Sequence, residues 1–118
     1  MRISKNSLNP SLKKEIFKSF VQTLDDLKDT EEKQQFLLDF FNDLELETYS
    51  KRLAIYYWLK KKRSYENIKN NLKVSSATIA AAEKNIYSKG IKLALKKLEA
   101  EEWANKWSEK IKKLATNH

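Results

Sequence analysis

Small side chains follow one another in the segment SATIAAAE, residues 76–83, within a chain that elsewhere favours long charged residues. Such side chains would let a helix backbone approach base edges closely in a major groove about 12 Å wide. Serine and threonine hydroxyls can bond to several bases, and alanine or threonine methyls can contact thymine. The residues that we predict to read bases are Ser76, Ala77, Thr78, Ala80 and Ala81.

Basic residues surround this segment. Residues 51–90 carry 10 basic and 2 acidic side chains, so their net charge of +8 equals that of the whole chain. Lysine and arginine bind DNA phosphates and give affinity and register, whereas the small residues would read sequence. A solvated lysine surface, or an alanine-rich helix packed on a neighbour, would also explain the pattern. The predicted phosphate contacts are Lys60, Lys61, Lys62, Arg63, Lys69, Lys73 and Lys84.

Helices must position these side chains. The chain has one glycine and one proline, and its apolar residues recur at spacings of three and four. We therefore predict an all-α fold of about six helices. The first helix starts at Asn9, the second follows Asp29, and the third runs from about Leu46 to Lys62.

Two short helices joined by the turn KVS predict a helix-turn-helix over residues 64–90. Ser64 and Ser75 are the expected N-caps, and Gly90 is expected to end the second helix in a left-handed conformation. Lys73 occupies the turn, where left-handed backbone would cost about 1 kcal/mol. The residues expected to face inward are Ile68, Leu72, Val74, Ile79, Ala82 and Ile86.

The chain has more aromatic surface than one small core needs. The third helix is apolar on several sides, which favours a homodimer over a well-filled monomer core. The last helix, residues 91–114, would cover the core or extend the dimer, and its lysines leave a membrane-surface helix as an alternative. Its predicted apolar face consists of Leu95, Leu98, Trp103, Trp107, Ile111 and Leu114.

Composition argues against an enzyme, a metal site and a cofactor. The chain has no cysteine, no phosphate-cradling glycine loop, and one histidine, the last residue His118. Adjacent carboxylates such as Asp25 and Asp26 point to different faces of a helix. No apolar run approaches the ~20 residues of a membrane span, and no signal peptide is visible. We predict a soluble cytoplasmic protein with a flexible basic arm at residues 1–8 and one helical domain at 9–115.

The stretch LETYSKRLAIYYWLKKKRSYENIKNNLKVSSATIAAAEKNI, residues 46–86, resembles the core of the Trp repressor superfamily, especially its small members of unassigned effector. The resemblance extends over roughly residues 9–100. It implies an intertwined homodimer in which each subunit donates its N-terminal helices to the partner's core. It also implies that each subunit presents one helix-turn-helix to a major groove, with Lys69 at the backbone and Ser76, Ala77 and Ala80 at base edges.

The effector pocket departs from the resemblance. Its candidate residues here are Lys51, Thr78, Ala81 and Asn85. Ala81 stands where the Trp repressor has an arginine over the bound indole, and Lys51 replaces a second arginine. A methyl group cannot replace a guanidinium stacked on a ring, so we predict that tryptophan does not switch the protein and leave the effector open.

Together these features predict sequence-specific double-stranded DNA binding by a transcriptional regulator, specifically a repressor. A helical protein-interaction module and a nonspecific nucleic-acid binder, including an RNA binder, are the alternatives. In both, the basic patch would be incidental to sequence recognition.

Overall fold

A computed structural model describes residues 6–116, apart from the side chains of residues 107, 108, 115 and 116. Within this range the chain forms six α-helices and no strand, which confirms the predicted all-α fold. Residues 1–5 of the predicted arm, and His118, lie outside the described residues. The helices are α1 (Pro10–Asp26), α2 (Thr30–Phe40), α3 (Asp43–Lys60), α4 (Tyr65–Leu72), α5 (Ser76–Asn85) and α6 (Lys89–Thr116).

Polar side chains fix the starts of the first three helices. Asn9 and Asp29 accept hydrogen bonds from the first turns of α1 and α2, as their positions predict. Before α3, Glu45 N–H donates to Asn42 Oδ1 at 2.8 Å, and Asn42 N–H donates to Glu45 Oε1 at 3.0 Å. This reciprocal cap starts α3 at Asp43, three residues before the predicted start.

The end of α3 also comes earlier than predicted. Lys62 has φ 65°, in the left-handed region, so it stops the helix rather than extending it. Its N–H donates to the carbonyl of Leu59 at 3.0 Å, and Arg63 N–H donates to the carbonyl of Trp58 at 3.1 Å. These two bonds form a Schellman motif, which usually relies on glycine.

The chain divides into two compact units between Leu46 and Glu47. In the N-terminal unit, α1 and α2 contain no buried residue. An aromatic cluster forms there, with the ring centroids of Phe36 and Phe40 5.0 Å apart and those of Phe20 and Phe40 5.5 Å apart. That residues 9–115 act as one domain stays a prediction. The large apolar side chains exposed on α1 and α2 include Ile16, Phe17, Val21, Leu37 and Leu38.

The C-terminal unit contains the buried core. Its members come from α3, α4, α5 and α6, so these four helices share one apolar centre. The predicted inward residues of the helix-turn-helix are confirmed, because Leu72, Val74 and Ile86 are partly buried and pack against the core. The buried residues are Ile55, Tyr56, Ile68, Ile79, Ala82 and Leu95.

The junction between α5 and α6 differs from the prediction. α5 ends at Asn85, and residues 86–88 form a turn. The carbonyl of Ser88 accepts the first backbone bond of α6 at 2.9 Å, so α6 starts at Lys89. Gly90 is therefore the second residue of α6, and its φ is not positive. The prediction that Gly90 ends the second helix of the pair in a left-handed conformation is wrong.

α6 does not have the single apolar face that the sequence predicts. Leu95 is buried and Leu98 is half-buried, whereas Trp103 is 64% exposed. At 3.6 residues per turn, the later apolar residues lie on a different side of the helix from Leu95 and Leu98. The side chain of Trp107 lies outside the described residues. The other two exposed members of the predicted face are Ile111 and Leu114.

Candidate nucleic-acid interface

Serine caps and one left-handed lysine shape the helix-turn-helix. Ser64 Oγ accepts a hydrogen bond from the backbone N–H of Asn67 at 3.1 Å, which starts α4. Ser75 Oγ accepts from the N–H of Thr78, also at 3.1 Å, which starts α5. Lys73 ends α4 with φ 56° and ψ 54°. Both predicted caps and the predicted left-handed turn are thus confirmed.

Packing and one side-chain bond hold α5 against α4. Ile68 of α4 and Ile79 of α5 are 0% exposed, and full burial of each contributes about 2 kcal/mol. On the surface, the Tyr65 hydroxyl donates to Glu83 Oε2 at 2.9 Å. This bond to the Glu83 carboxylate raises the pKa of Tyr65 above 10.0, because the neutral phenol is the donor. The apolar contact supplies most of the stability, and the bond adds one polar contact between the two helices.

The predicted base-reading residues occupy two edges of α5. Ser76 and Ala77 are exposed and Ala80 is half-buried. Their spacing of one and four residues places them on one side of the helix, away from buried Ile79 and Ala82. We call Ser76, Ala77 and Ala80 the outward face of α5. Thr78 and Ala81 are also exposed, but they lie towards α3 and line a cavity described below.

All seven predicted phosphate contacts are exposed. Of the six lysines among them, four have no ion-pair partner within residues 6–116, so their charge is available to a ligand. They come from the turn after α3, from α4, from the turn between α4 and α5, and from α5. These four, which we call the unpaired lysines, are Lys62, Lys69, Lys73 and Lys84.

A cavity of about 660 Å³ opens between α3, the turn and α5. Its floor is apolar and includes Ile55 and Tyr56. The structure brings together all the residues predicted for an effector pocket, which are Lys51, Thr78, Ala81 and Asn85.

Sequence reasoning missed three further polar residues of this cavity, Thr48, Arg52 and Ser75. It also did not place Lys73 there. A signal was available, since Thr48, Lys51 and Arg52 have the spacing of one helix face. Lys51, Arg52 and Lys73 line the cavity together with apolar residues, and Lys51 also pairs with Glu47 at 3.6 Å. The cavity could therefore hold a small molecule that has both an anionic group and an apolar part.

Residues 6–116 contain no group of three or more His, Cys, Asp or Glu side chains placed to hold a metal ion. None of the six helices in this range combines the length and apolarity that a bilayer crossing requires.

Comparison with protein families gives the context for this geometry. Residues 15–99 match the family model described as Trp repressor protein, which is most of the chain. The chain belongs to the Trp repressor family. Trp repressor proteins are helix-turn-helix DNA-binding regulators rather than enzymes, and in general they bind double-stranded DNA and form dimers. No curated protein and no solved structure matches the chain significantly.

The Trp repressor match ends at Glu99, so residues 100–116 of α6 lie beyond it. Ion pairs tie α6 to α3 on both sides of this limit. Glu102 Oε2 lies 2.8 Å from the Lys61 ammonium and accepts a hydrogen bond from the Tyr57 hydroxyl. Glu99 lies 3.9 Å from Lys60. Two predicted phosphate contacts therefore already have acidic partners within the chain.

Arg63 is also engaged within the fold. Its guanidinium carbon lies 4.1 Å from the ring centroid of Trp58, a cation–π distance. The same guanidinium donates to Asn67 Oδ1 at 3.5 Å. The predicted basic run 60–63 thus contains three residues with contacts inside the protein and one, Lys62, among the unpaired lysines.

Proposed function

We propose that this chain is a sequence-specific double-stranded DNA-binding protein that acts as a cytoplasmic transcriptional repressor. The outward face of α5 carries this proposal. Ser76, Ala77 and Ala80 form a low surface on the side of α5 opposite the core, so duplex DNA can approach the helix backbone. In helix-turn-helix docking, the N-terminal residues of the second helix contact base edges, so we expect the first turn of α5 to lie closest to the bases.

The unpaired lysines support the same proposal. They are exposed on α5 itself and on the elements that flank it, and each can neutralise a phosphate. Affinity should therefore fall steeply as salt rises, because every neutralised phosphate releases counterions. Removal of the Lys69 charge should weaken binding to all sequences, since Lys69 would contact the DNA backbone and not the bases.

Selection of duplexes from a random pool tests the proposal. We expect a recovered site with two half-sites about one helical turn apart, as a two-fold symmetric dimer requires. Ala77→Leu and Ala80→Leu should abolish preference for that site, whereas Lys69→Gln should weaken selected and random duplexes equally. Ala80 is half-buried, so leucine at this position can abolish binding by unfolding the protein. Ala77 is exposed, so the Ala77→Leu variant tests base readout without damage to the fold.

The alternatives give different results. A nonspecific nucleic-acid binder would yield no recovered site, and random DNA or RNA would compete fully with any duplex. A protein-interaction module would not be retained on a DNA or heparin column near physiological salt. Retained site preference in a folded Ala77→Leu variant would contradict the assignment of the outward face.

We also propose that the protein is an intertwined homodimer, in which the N-terminal unit of one copy covers the C-terminal unit of another. α1 and α2 expose apolar side chains without burying any. A groove of about 730 Å³ between α3 and α6 has apolar lining residues that include Leu59 and Leu93. Five lysines and one glutamate line this groove, whereas residues 1–50 have a net charge of −3 from 7 basic and 10 acidic side chains. Sedimentation equilibrium should show a dimer at micromolar concentration.

For the cavity beside α5 we propose that tryptophan is not the ligand. Ala81 offers a methyl group where stacking on an indole requires a guanidinium or a ring. Calorimetric titration with tryptophan should show no binding heat, and tryptophan should leave DNA affinity unchanged. Binding at micromolar tryptophan would refute this part of the proposal without affecting the DNA-binding part.

A further inference from the structure

Glu102 of α6 makes more polar contacts than any other acidic residue of the C-terminal unit for which contacts are described. Its carboxylate pairs with Lys61 at 2.8 Å and with Lys106 at 3.4 Å, and it accepts the Tyr57 hydroxyl bond. The Lys61 ammonium also lies 5.4 Å from the ring centroid of Tyr57. Lys61 is therefore held by a carboxylate and by an aromatic ring, both within the protein.

We propose that Glu102 withholds Lys61 from DNA phosphates, so that α6 lowers the affinity of the helix-turn-helix for the DNA backbone. This inference rests on the proposed DNA-binding function. It assigns a regulatory role to a residue that lies beyond the Trp repressor match. The affinity of the protein for DNA is then set partly by α6 and not only by α4 and α5.

The neighbouring lysine shows why the ion pair matters. Lys62 is exposed and has no ion-pair partner within residues 6–116, whereas Lys61 must leave Glu102 and the Tyr57 ring before it can reach a phosphate. Both members of the pair are partly exposed, with side-chain exposures of 40% for Lys61 and 32% for Glu102. Such a pair contributes little to stability, so its disruption should alter DNA affinity without unfolding the protein.

The pair between Lys60 and Glu99 should act in the same direction but more weakly. Its atoms are 3.9 Å apart, and both side chains are more exposed than Lys61 and Glu102. Removal of the Glu99 charge should therefore raise DNA affinity less than removal of the Glu102 charge does.

Glu102→Gln provides the direct test. The glutamine carbonyl still accepts the Tyr57 hydroxyl bond, while Lys61 loses its counter-charge. The probe is a random-sequence duplex of about three helical turns, because phosphate contacts do not depend on sequence. We expect the variant to bind about fivefold more tightly at ~100 mM salt, and its log–log salt slope to steepen by about 0.9, the value for one additional phosphate contact.

Glu109→Gln is the matched control. Glu109 lies on the same helix, is exposed, and has no ion pair within residues 6–116. Its substitution removes the same charge without releasing Lys61. The double variant Lys61→Gln with Glu102→Gln should return to wild-type affinity, which would show that the gain comes from Lys61.

Two outcomes would overturn the inference while leaving the proposed function intact. In one, Glu102→Gln and Glu109→Gln raise affinity equally, so that only overall charge matters. In the other, Lys61→Gln alone weakens wild-type binding as much as Lys69→Gln does, so that Lys61 already contacts DNA. If neither the wild type nor Glu102→Gln binds the duplex, both the proposed function and this inference fail.

Discussion

The two units of this protein place their apolar residues in opposite ways. In the C-terminal unit, residues from four helices meet in a core where Ile68 and Ile79 are fully enclosed. In the N-terminal unit, α1 and α2 bury no residue, and Phe17 is 66% exposed. The C-terminal unit can therefore position its helix-turn-helix with its own residues, whereas the N-terminal unit has apolar surface suited to a partner.

This difference separates two questions about function. The proposed readout of DNA depends on how α5 is held, and the contacts that hold α5 lie within the C-terminal unit. The proposed dimerisation depends on what covers α1 and α2. Substitutions in the two units should therefore change different measurements.

The largest effect is expected for Ile79→Ala. Ile79 is 0% exposed, and removal of such a side chain leaves a cavity that costs about 3 kcal/mol. Urea denaturation should show this loss, and DNA binding should fall because α5 is no longer held against α4. Ile111→Ala is the matched control, since Ile111 is largely exposed and its loss should cost below about 0.5 kcal/mol. Equal costs for both variants would show that the core is misassigned.

Phe17→Ala tests the N-terminal unit. If a second copy covers Phe17, the dimer should weaken by about 2 kcal/mol, a rise of roughly thirtyfold in its dissociation constant. Sedimentation measures this shift directly, and the helical content of the monomer should stay unchanged. Leu114→Ala, which truncates an exposed residue of α6, should leave the dissociation constant within about threefold of wild type. If the Phe17→Ala variant keeps the wild-type dissociation constant, the exposed apolar surface at Phe17 is not covered by a second copy.

Lys73→Gly should stabilise the C-terminal unit by about 1 kcal/mol, because glycine adopts the left-handed backbone of Lys73 without steric cost. The same exchange at Lys69, inside α4, should destabilise by about 1 kcal/mol. Both variants lose one unpaired lysine, so both should bind DNA more weakly. Thermal unfolding should show that Lys73→Gly raises the stability and Lys69→Gly lowers it. A destabilised Lys73→Gly variant would mean that the lysine side chain makes a stabilising contact at the turn.

Much of the helix-turn-helix could be predicted because its determinants are local. Ser64 and Ser75 cap the helices that follow them, and both act within three residues. Ile68 and Ile79 face inward because their helices have a fixed period. The candidate effector pocket was also predictable, although only through the resemblance to the Trp repressor superfamily.

Contacts between distant parts of the chain were not predictable from spacing. Lys61 was expected to bind phosphate, and nothing in its local sequence indicates that it pairs with Glu102 of α6. The turn after α3 was missed for a different reason. A lysine at the left-handed position of a Schellman motif contradicts the usual preference for glycine, so Lys62 gave no signal.

Gly90→Ala should have the smallest effect, and it tests the glycine whose role was predicted wrongly from the sequence. A methyl group at Gly90 would meet no atom within 4 Å, and the residue already has helical backbone near the start of α6. Alanine reduces the entropy of the unfolded chain, so the variant should gain about 0.5 kcal/mol. Ala104→Gly, the reverse exchange on the exposed side of α6, should lose a similar amount or slightly more. If Gly90→Ala instead destabilised the protein, the glycine would be needed for a left-handed helix end, and α5 would extend beyond Asn85 as its sequence suggests.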